Sequence, residues 1–210
     1  MNDCGDMNIA FSQKNTHMQN THLYGTIVYS INDVWRYFSK GEGMSAQPDF
    51  ALQLNKLTMH RARIMDFPLL QTLLDDCAST LHVRYGIGPW GIATTIRQME
   101  RHMTDHHIMV INYMGVSVAT FSLSPTPPSW YDVSLFSPAN NAGYLYNLCV
   151  LPSFQRRGVG LWSIQRAHAL AQSIGYEAVR CHLYAEVSEA HYFAHRAGYV
   201  WCGNVVHTRH

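Results

Sequence analysis

Apolar and polar positions follow two rhythms along this chain, and each change of rhythm marks an element. From Leu57 to Arg63, Leu57, Met59 and Arg61 alternate with Thr58, His60 and Ala62, which predicts a strand with an imperfect two-residue period. Asp66 then reads as a helix cap, and from Phe67 to Tyr85 the residues Leu69, Leu70, Leu73, Leu74, Cys77 and Leu81 fall on one helical stripe. Gly86 to Gly91 predicts a loop and Ile92 to Met103 a second helix. His107 to Asn112 and Val116 to Ser124 read as strands joined at Tyr113-Met114-Gly115 into a hairpin. Pro125, Pro127 and Pro128 then exclude regular structure as far as Trp130.

The organising stretch follows. Tyr144 to Val150 is an apolar run that predicts a strand, Leu151 and Pro152 end it, and Gln155-Arg156-Arg157-Gly158-Val159-Gly160 leads into a helix. That helix carries Leu161, Ile164, Ala167, Leu170 and Ala171 at helical spacing, and Gly175 stops it as a left-handed cap would. Ala178 to Leu183 predicts a further strand, Ser188 caps a helix over Glu189 to Arg196, and a last strand is expected near Val205 to Arg209.

The first turn of a helix presents unpaired N–H groups and the positive end of the helix dipole, so a loop of two arginines and two glycines at this place is an anion cradle. Gly158 and Gly160 lack Cβ atoms, which lets a bulky diphosphate approach the main chain, while Arg156 and Arg157 can add charge-assisted hydrogen bonds. The loop lacks the Gly-Lys-Ser/Thr ending of a P-loop and the third glycine of a dinucleotide fingerprint.

It resembles the acetyl-CoA loop of the GNAT N-acetyltransferase superfamily, Gln/Arg-x-x-Gly-x-Gly/Ala, filled here by Gln155, Gly158 and Gly160. Leu148-Cys149-Val150-Leu151-Pro152 before it, and Ala190-His191-x-Phe193 leading to Gly198-Tyr199 after it, extend the resemblance over residues 57 to 210. The resemblance implies an α/β (α+β) GNAT fold: a mixed central β-sheet with helices on both faces, and strands 144–150 and 178–183 parallel through a crossover helix. It also implies that these two strands splay apart and that the pantetheine arm of acetyl-CoA, the expected co-substrate, inserts between them. Cys149, Val150, Gln155, Arg156, Arg157, Gly158, Val159 and Gly160 are the residues expected to bind it.

The implied reaction is direct transfer of an acetyl group to a primary amine of a small molecule or peptide, with a backbone N–H near Val150 facing the thioester carbonyl. An amine of pKa about 10.4 is neutral only about one part in a thousand near pH 7.4, a cost of roughly 4 kcal/mol, so a base or water chain must help. Where many relatives carry a catalytic Glu, this chain has Tyr146, followed by Asn147; neither is a general base near neutral pH. The family's acid tyrosine falls at Ala194, with Tyr192 two residues away, and its helix-start Asn at Val187. Tyr146, Asn147 and Tyr192 remain the catalytic candidates, and Trp90, Trp130 and Tyr131 the candidate walls of an apolar or aromatic acceptor site. The alternative reading is an acyl-CoA-binding sensor or structural module with little turnover.

Composition narrows this picture. Five scattered cysteines without a Cys-x-x-Cys pair argue against a disulfide framework and fit a reducing cytoplasm. A formal charge of +1 and the absence of a long basic run give no footprint for nucleic acid, no apolar run reaches a membrane span, and no signal peptide opens the chain. Of 13 histidines, His102/His106 and His191/His195 have i,i+4 spacing, but neither pair has the glutamate of a His-Glu-x-x-His motif, so no metal is expected. The expected partners are acetyl-CoA and an amine acceptor, with a homodimer as a further expectation.

Residues 1–55 read as a poorly ordered extension and 56–210 as the catalytic domain. Within the extension, Tyr24 to Ile31 could form a strand and Asn32 to Phe38 a short helix. Lys40-Gly41-Glu42-Gly43 is encoded by a purine-rich run that resembles a bacterial ribosome-binding site, which raises the expectation that the 43 preceding residues lie upstream of a native start at Met44.

Overall fold

The computed structural model describes residues 23–32, 52–86, 96–129 and 131–208. They form β1 (Leu23–Asn32), β2 (Leu57–Arg61), α1 (Phe67–Tyr85), α2 (Ile96–Asp105), β3 (His107–Tyr113), β4 (Val116–Ser124), β5 (Ala142–Val150), α3 (Val159–Ile174), β6 (Ala178–Tyr184), α4 (Ser188–Arg196) and β7 (Val200–Thr208). One seven-stranded sheet runs in the order β2-β3-β4-β5-β6-β1-β7. It is antiparallel throughout except where β5 and β6 run parallel through the α3 crossover. The α/β expectation of a mixed sheet with helices on both faces therefore holds.

Met114 and Gly115, with φ of 50° and 85°, make the tight β3–β4 turn, a conformation that matches the strands' own twist. Gly175, at φ 91°, caps α3 in the left-handed region. Two predicted caps differ in detail. Asp66 turns its carboxylate back to accept from the Arg63 N–H at 2.8 Å, and Ser188 lies inside α4, which starts after Val187.

β3 and β4 are buried on both faces. Met109, Ile111, Phe121, Leu123 and Leu145 point to the face covered by α3, with Val159, Ile164, Ala167 and Ala171 against them. Ile108 and Val110 point to the other face, under Leu70 of α1 and Met99 of α2. Within the α3 side of the core, His168 Nε2 lies 2.9 Å from Tyr199 Oη, both side chains being buried.

The strand expected over Tyr24 to Ile31 is present as β1, and it joins the sheet of the catalytic domain: Thr26–Asn32 pair antiparallel with β6 and Leu23–Ser30 antiparallel with β7. Their partners lie between 146 and 185 positions away, so no local pattern announces the pairing. Residues 33–38, the predicted short helix, lie outside the described residues.

A chain starting at Met44 would lack β1, leaving β6 and β7 with unpaired edges. Residues 44–210 alone are expected to be insoluble or to melt about 10 °C or more below the full chain; equal melting curves would show that β1 is dispensable.

Burial lowers the His168 pKa to about 4, so the neutral ring is the folded form. Its contribution to stability is full above the ordinary histidine value of about 6.5 and is lost as pH falls towards 4, because the unfolded state then binds a proton that the folded state does not. Between pH 7 and pH 5 the wild type should lose about 2 kcal/mol more stability than His168→Gln, read from urea melts at each pH.

Candidate active site

β5 changes phase in its middle. Asn147 takes φ 48°, and the register against β4 shifts between Ser122, opposite Tyr146, and Thr120, opposite Cys149. This extra residue is a β-bulge. Tyr144 and Tyr146 therefore share a face with Cys149, which packs on Leu73 and Cys77 of α1, while Leu145, Leu148 and Val150 turn to the α3 side.

The same place ends the pairing with β6. Parallel partners run from Ala142–Ala178 to Leu145–Cys181 and stop, although β5 continues to Val150 and β6 to Tyr184. Beyond Leu145 the two strands have parted, leaving a cleft between two backbones. Helices from opposite faces meet at its end: Arg84 and Tyr85 of α1 both hold Glu189 of α4, the tyrosine hydroxyl donating at 2.7 Å.

The loop to α3 lies beside this cleft. Gly158 is the N-cap at φ 87°, a conformation that strains any residue with a Cβ, and a Cβ there would lie 3.2 Å from Leu54 Cδ1. Arg156 and Arg157 are exposed, Arg156 itself at φ 61°. Gln155 is exposed too, but its Nε2 donates to the Val150 carbonyl at 2.9 Å, to which Cys77 Sγ also donates at 3.4 Å. Val159 is wholly buried, and burial also pushes the Cys149 thiol pKa up, so these two offer the cleft their backbones only.

Gly160 has a packing reason of its own. A Cβ there would sit 3.2 Å from Phe193 Cζ, so the missing side chain lets α4 close on α3. Ala194, at the family's tyrosine position, is buried in the same core, and Tyr192 lies exposed with the Arg196 guanidinium over its ring. The structure thus does not bring Tyr192 to the cluster around Tyr146.

That cluster is what sequence spacing could not reveal. His106, between α2 and β3, stacks on Tyr146 at 5.8 Å and nearly parallel, with His102 stacked on its other neighbour side at 5.5 Å. His182 of β6 meets Tyr146 edge-on at 6.0 Å, and its Nδ1 lies 2.6 Å from Tyr131 Oη. Tyr146 Oη donates to the Thr126 carbonyl at 2.8 Å. Burial raises the pKa values of Tyr131 and Tyr146, so both phenols stay protonated. Burial, reinforced by His102, lowers that of His106, so its imidazole is neutral near pH 7. Asn147 is exposed at the bulge, and Trp90 and Trp130 lie outside the described residues. Among the described residues, no three His, Cys, Asp or Glu side chains gather as a metal site requires.

A mixed sheet whose two parallel strands part beside a glycine–arginine loop defines the class. The profile of the acetyltransferase (GNAT) family matches residues 70–199, and the chain belongs to that family. No curated protein matches the chain in sequence. Among solved structures, it is similar to a protein of unknown function from Staphylococcus epidermidis ATCC 12228 (TM-score 0.55, 14% identity, covering 90% of this chain and 62% of that one). A Drosophila protein is comparable (TM-score 0.54, 14% identity, 90% and 51%). The aminoglycoside 6'-N-acetyltransferase AAC(6')-Ih from Acinetobacter baumannii also shares the fold (TM-score 0.53, 13% identity, 73% and 97%). The chain spans between half and two thirds of the two larger structures, and at these identities the likeness concerns the fold alone.

Reversing both exposed charges in Arg156→Glu/Arg157→Glu should weaken acetyl-CoA binding about tenfold or more with the melting temperature unchanged, since neither side chain is packed. Calorimetric titration checks it; unaltered affinity would remove both arginines from the cradle.

Proposed function

We propose that the protein is an acetyl-CoA-dependent N-acetyltransferase acting on a primary amine of a small molecule or peptide by direct attack. The observation that carries this reading is the end of β5–β6 pairing at Leu145–Cys181 beside the Gly158 cap of α3. The fit of acetyl-CoA rests on that gap, wide enough for no strand pairing, and on the anion-favouring helix start with Arg156 and Arg157 at its rim. When bound, acetyl-CoA supplies the activated thioester.

The chain's own residues then have defined tasks. Backbone groups of β5 past the bulge, near Val150, orient the acyl carbonyl; the exposed Asn147 marks where the strand opens. Ser122, opposite Tyr146, and Tyr131 line the face on which the acceptor approaches. His106 takes the amine proton: its imidazole is neutral, and it stacks on Tyr146 at the position where many GNAT relatives carry a glutamate. Tyr146 and Tyr131 hold their protons and so position and donate rather than accept.

One observation favours the second reading, an acyl-CoA-binding sensor. Ala194 is buried and Tyr192 is exposed, so α4 offers no phenol to the departing thiolate. Thiol release from acetyl-CoA on mixing with amines, polyamines, aminoglycosides and peptides decides between them. Release with any of them supports the transferase, and acetyl-CoA binding without release from the whole panel supports the sensor.

His106→Gln should lower kcat about a hundredfold with acetyl-CoA affinity unchanged. Because the His106 pKa is lowered, its protonated form accumulates only below the ordinary histidine value, so the wild-type rate should fall there and the variant's profile should lack that limb. A variant with wild-type kcat and the same acid limb would remove His106 from the reaction.

A further inference from the structure

The cavity beneath the 131–141 loop lies apart from the cleft and contains a charge that nothing in the acetyltransferase reading uses. It measures about 630 Å3 and is lined by Val133, Phe136, Pro138, Asn140, Glu177 and Arg180 among others, at the N-terminal ends of β5 and β6. Arg180, on β6 opposite Tyr144, is only 6% exposed. Its guanidinium stacks on Phe136 at 4.6 Å, Nη1 donates to Tyr144 Oη at 3.0 Å and Nη2 to the Ser137 carbonyl at 3.0 Å.

All of these partners are neutral. Among the described residues no carboxylate pairs with Arg180, and Nε has no hydrogen-bond partner. Glu177, at the same cavity, is already occupied: its oxygens accept from Asn140 N at 3.0 Å and from Asn140 Nδ2 at 3.2 and 3.4 Å. A guanidinium stays charged at any working pH, and a buried charge without a counter-ion is costly. Its flank carries Nε–H and the second N–H of a neighbouring nitrogen on one edge, the fork that matches a carboxylate.

We propose that this cavity is a carboxylate-binding site anchored by Arg180, which takes a small molecule whose apolar or aromatic body lies against Phe136, Pro138 and Val133. Nε is covered in this state, so binding lifts the 133–137 segment slightly. The proposal does not depend on acetyl transfer. Two sources share the chemistry: the carboxylate of an amine acceptor, since His182 stands two residues along β6, about 7 Å away, or a separate carboxylic acid.

Titration of the full chain with benzoate and with its neutral counterpart, benzamide, by calorimetry tests it. Benzoate should bind at least tenfold more tightly than benzamide, and Arg180→Met, which keeps the packing volume, should abolish the difference. Arg180→Lys, with the charge but not the fork, should retain part of it and serves if the methionine variant fails to fold. Equal binding of the two probes by wild type, or no binding of either, overturns the site whatever the variants do. With the site established, benzoate that raises the KM of a carboxylate-free amine assigns it to the acceptor, and benzoate that leaves that KM unchanged assigns it to a separate acid.

Discussion

The bulge at Asn147 is the constraint on which the rest of the site depends. A regular β5 would continue its ladder beside β6, fill the cleft with backbone hydrogen bonds and turn Leu148 to the face that carries Tyr146. One extra residue at φ 48° changes all three outcomes. The strand bends away from β6 after Leu145, Leu148 and Val150 join the α3 side of the core, and Tyr146 and Cys149 come to share the opposite face. The carbonyl of Val150 then accepts from both Gln155 and Cys77, so the freed backbone is fixed in place.

Elements whose cause is local were legible in the residues. The stripe from Leu69 to Leu81 predicts α1 over Phe67–Tyr85, the extent it has, and Gly175 stops α3 because only a residue without Cβ accepts φ 91° freely. The motif around Gly158 likewise marks the junction of loop and helix, where Gly158 caps α3 at φ 87°. What was not legible was non-local. The strand over Tyr24 to Ile31 was expected, but β1 gains its partners from β6 and β7, and no periodicity inside Leu23–Asn32 encodes strands that far away. His106, Tyr131, Tyr146 and His182 come from four separate parts of the chain, so no spacing could have gathered them. Gly160 was read for its space towards a ligand, whereas the space is taken by Phe193.

The two faces of the sheet divide the labour. Beneath α3 the lining is apolar, apart from the His168–Tyr199 pair and Ser163, whose hydroxyl donates to the Val159 carbonyl, and it supplies cohesion. Opposite, β4 buries Thr120, Ser122 and Ser124, and β5 and β6 add Tyr144, Tyr146, Arg180 and His182. Polar groups buried in such number need partners. Thr120 donates to the Met109 carbonyl at 2.8 Å, Tyr146 to that of Thr126, and Ser124 lies against Thr126. Much of this satisfaction comes from the proline-rich loop after β4, so that loop is part of the face rather than a cover laid over it.

That dependence also explains how a site can lack the family's two habitual side chains and keep its geometry. Ala194 is small because it belongs to the contact that seats α4 on α3, alongside Phe193 and Gly160; a phenol there would have to displace core rather than enter the cleft. The glutamate position holds Tyr146, whose hydroxyl is committed to the loop and whose ring supports His106. The proposed reaction thereby moves proton handling from the strand itself to an imidazole stacked against it, and the orientation of that imidazole follows from its stacking on Tyr146 and His102. The cleft, by contrast, is set by backbone alone, through the bulge, the Gly158 cap and the Val150 carbonyl. In the proposed reaction, binding geometry and proton transfer therefore rest on separate structural elements, and the second can vary without disturbing the first.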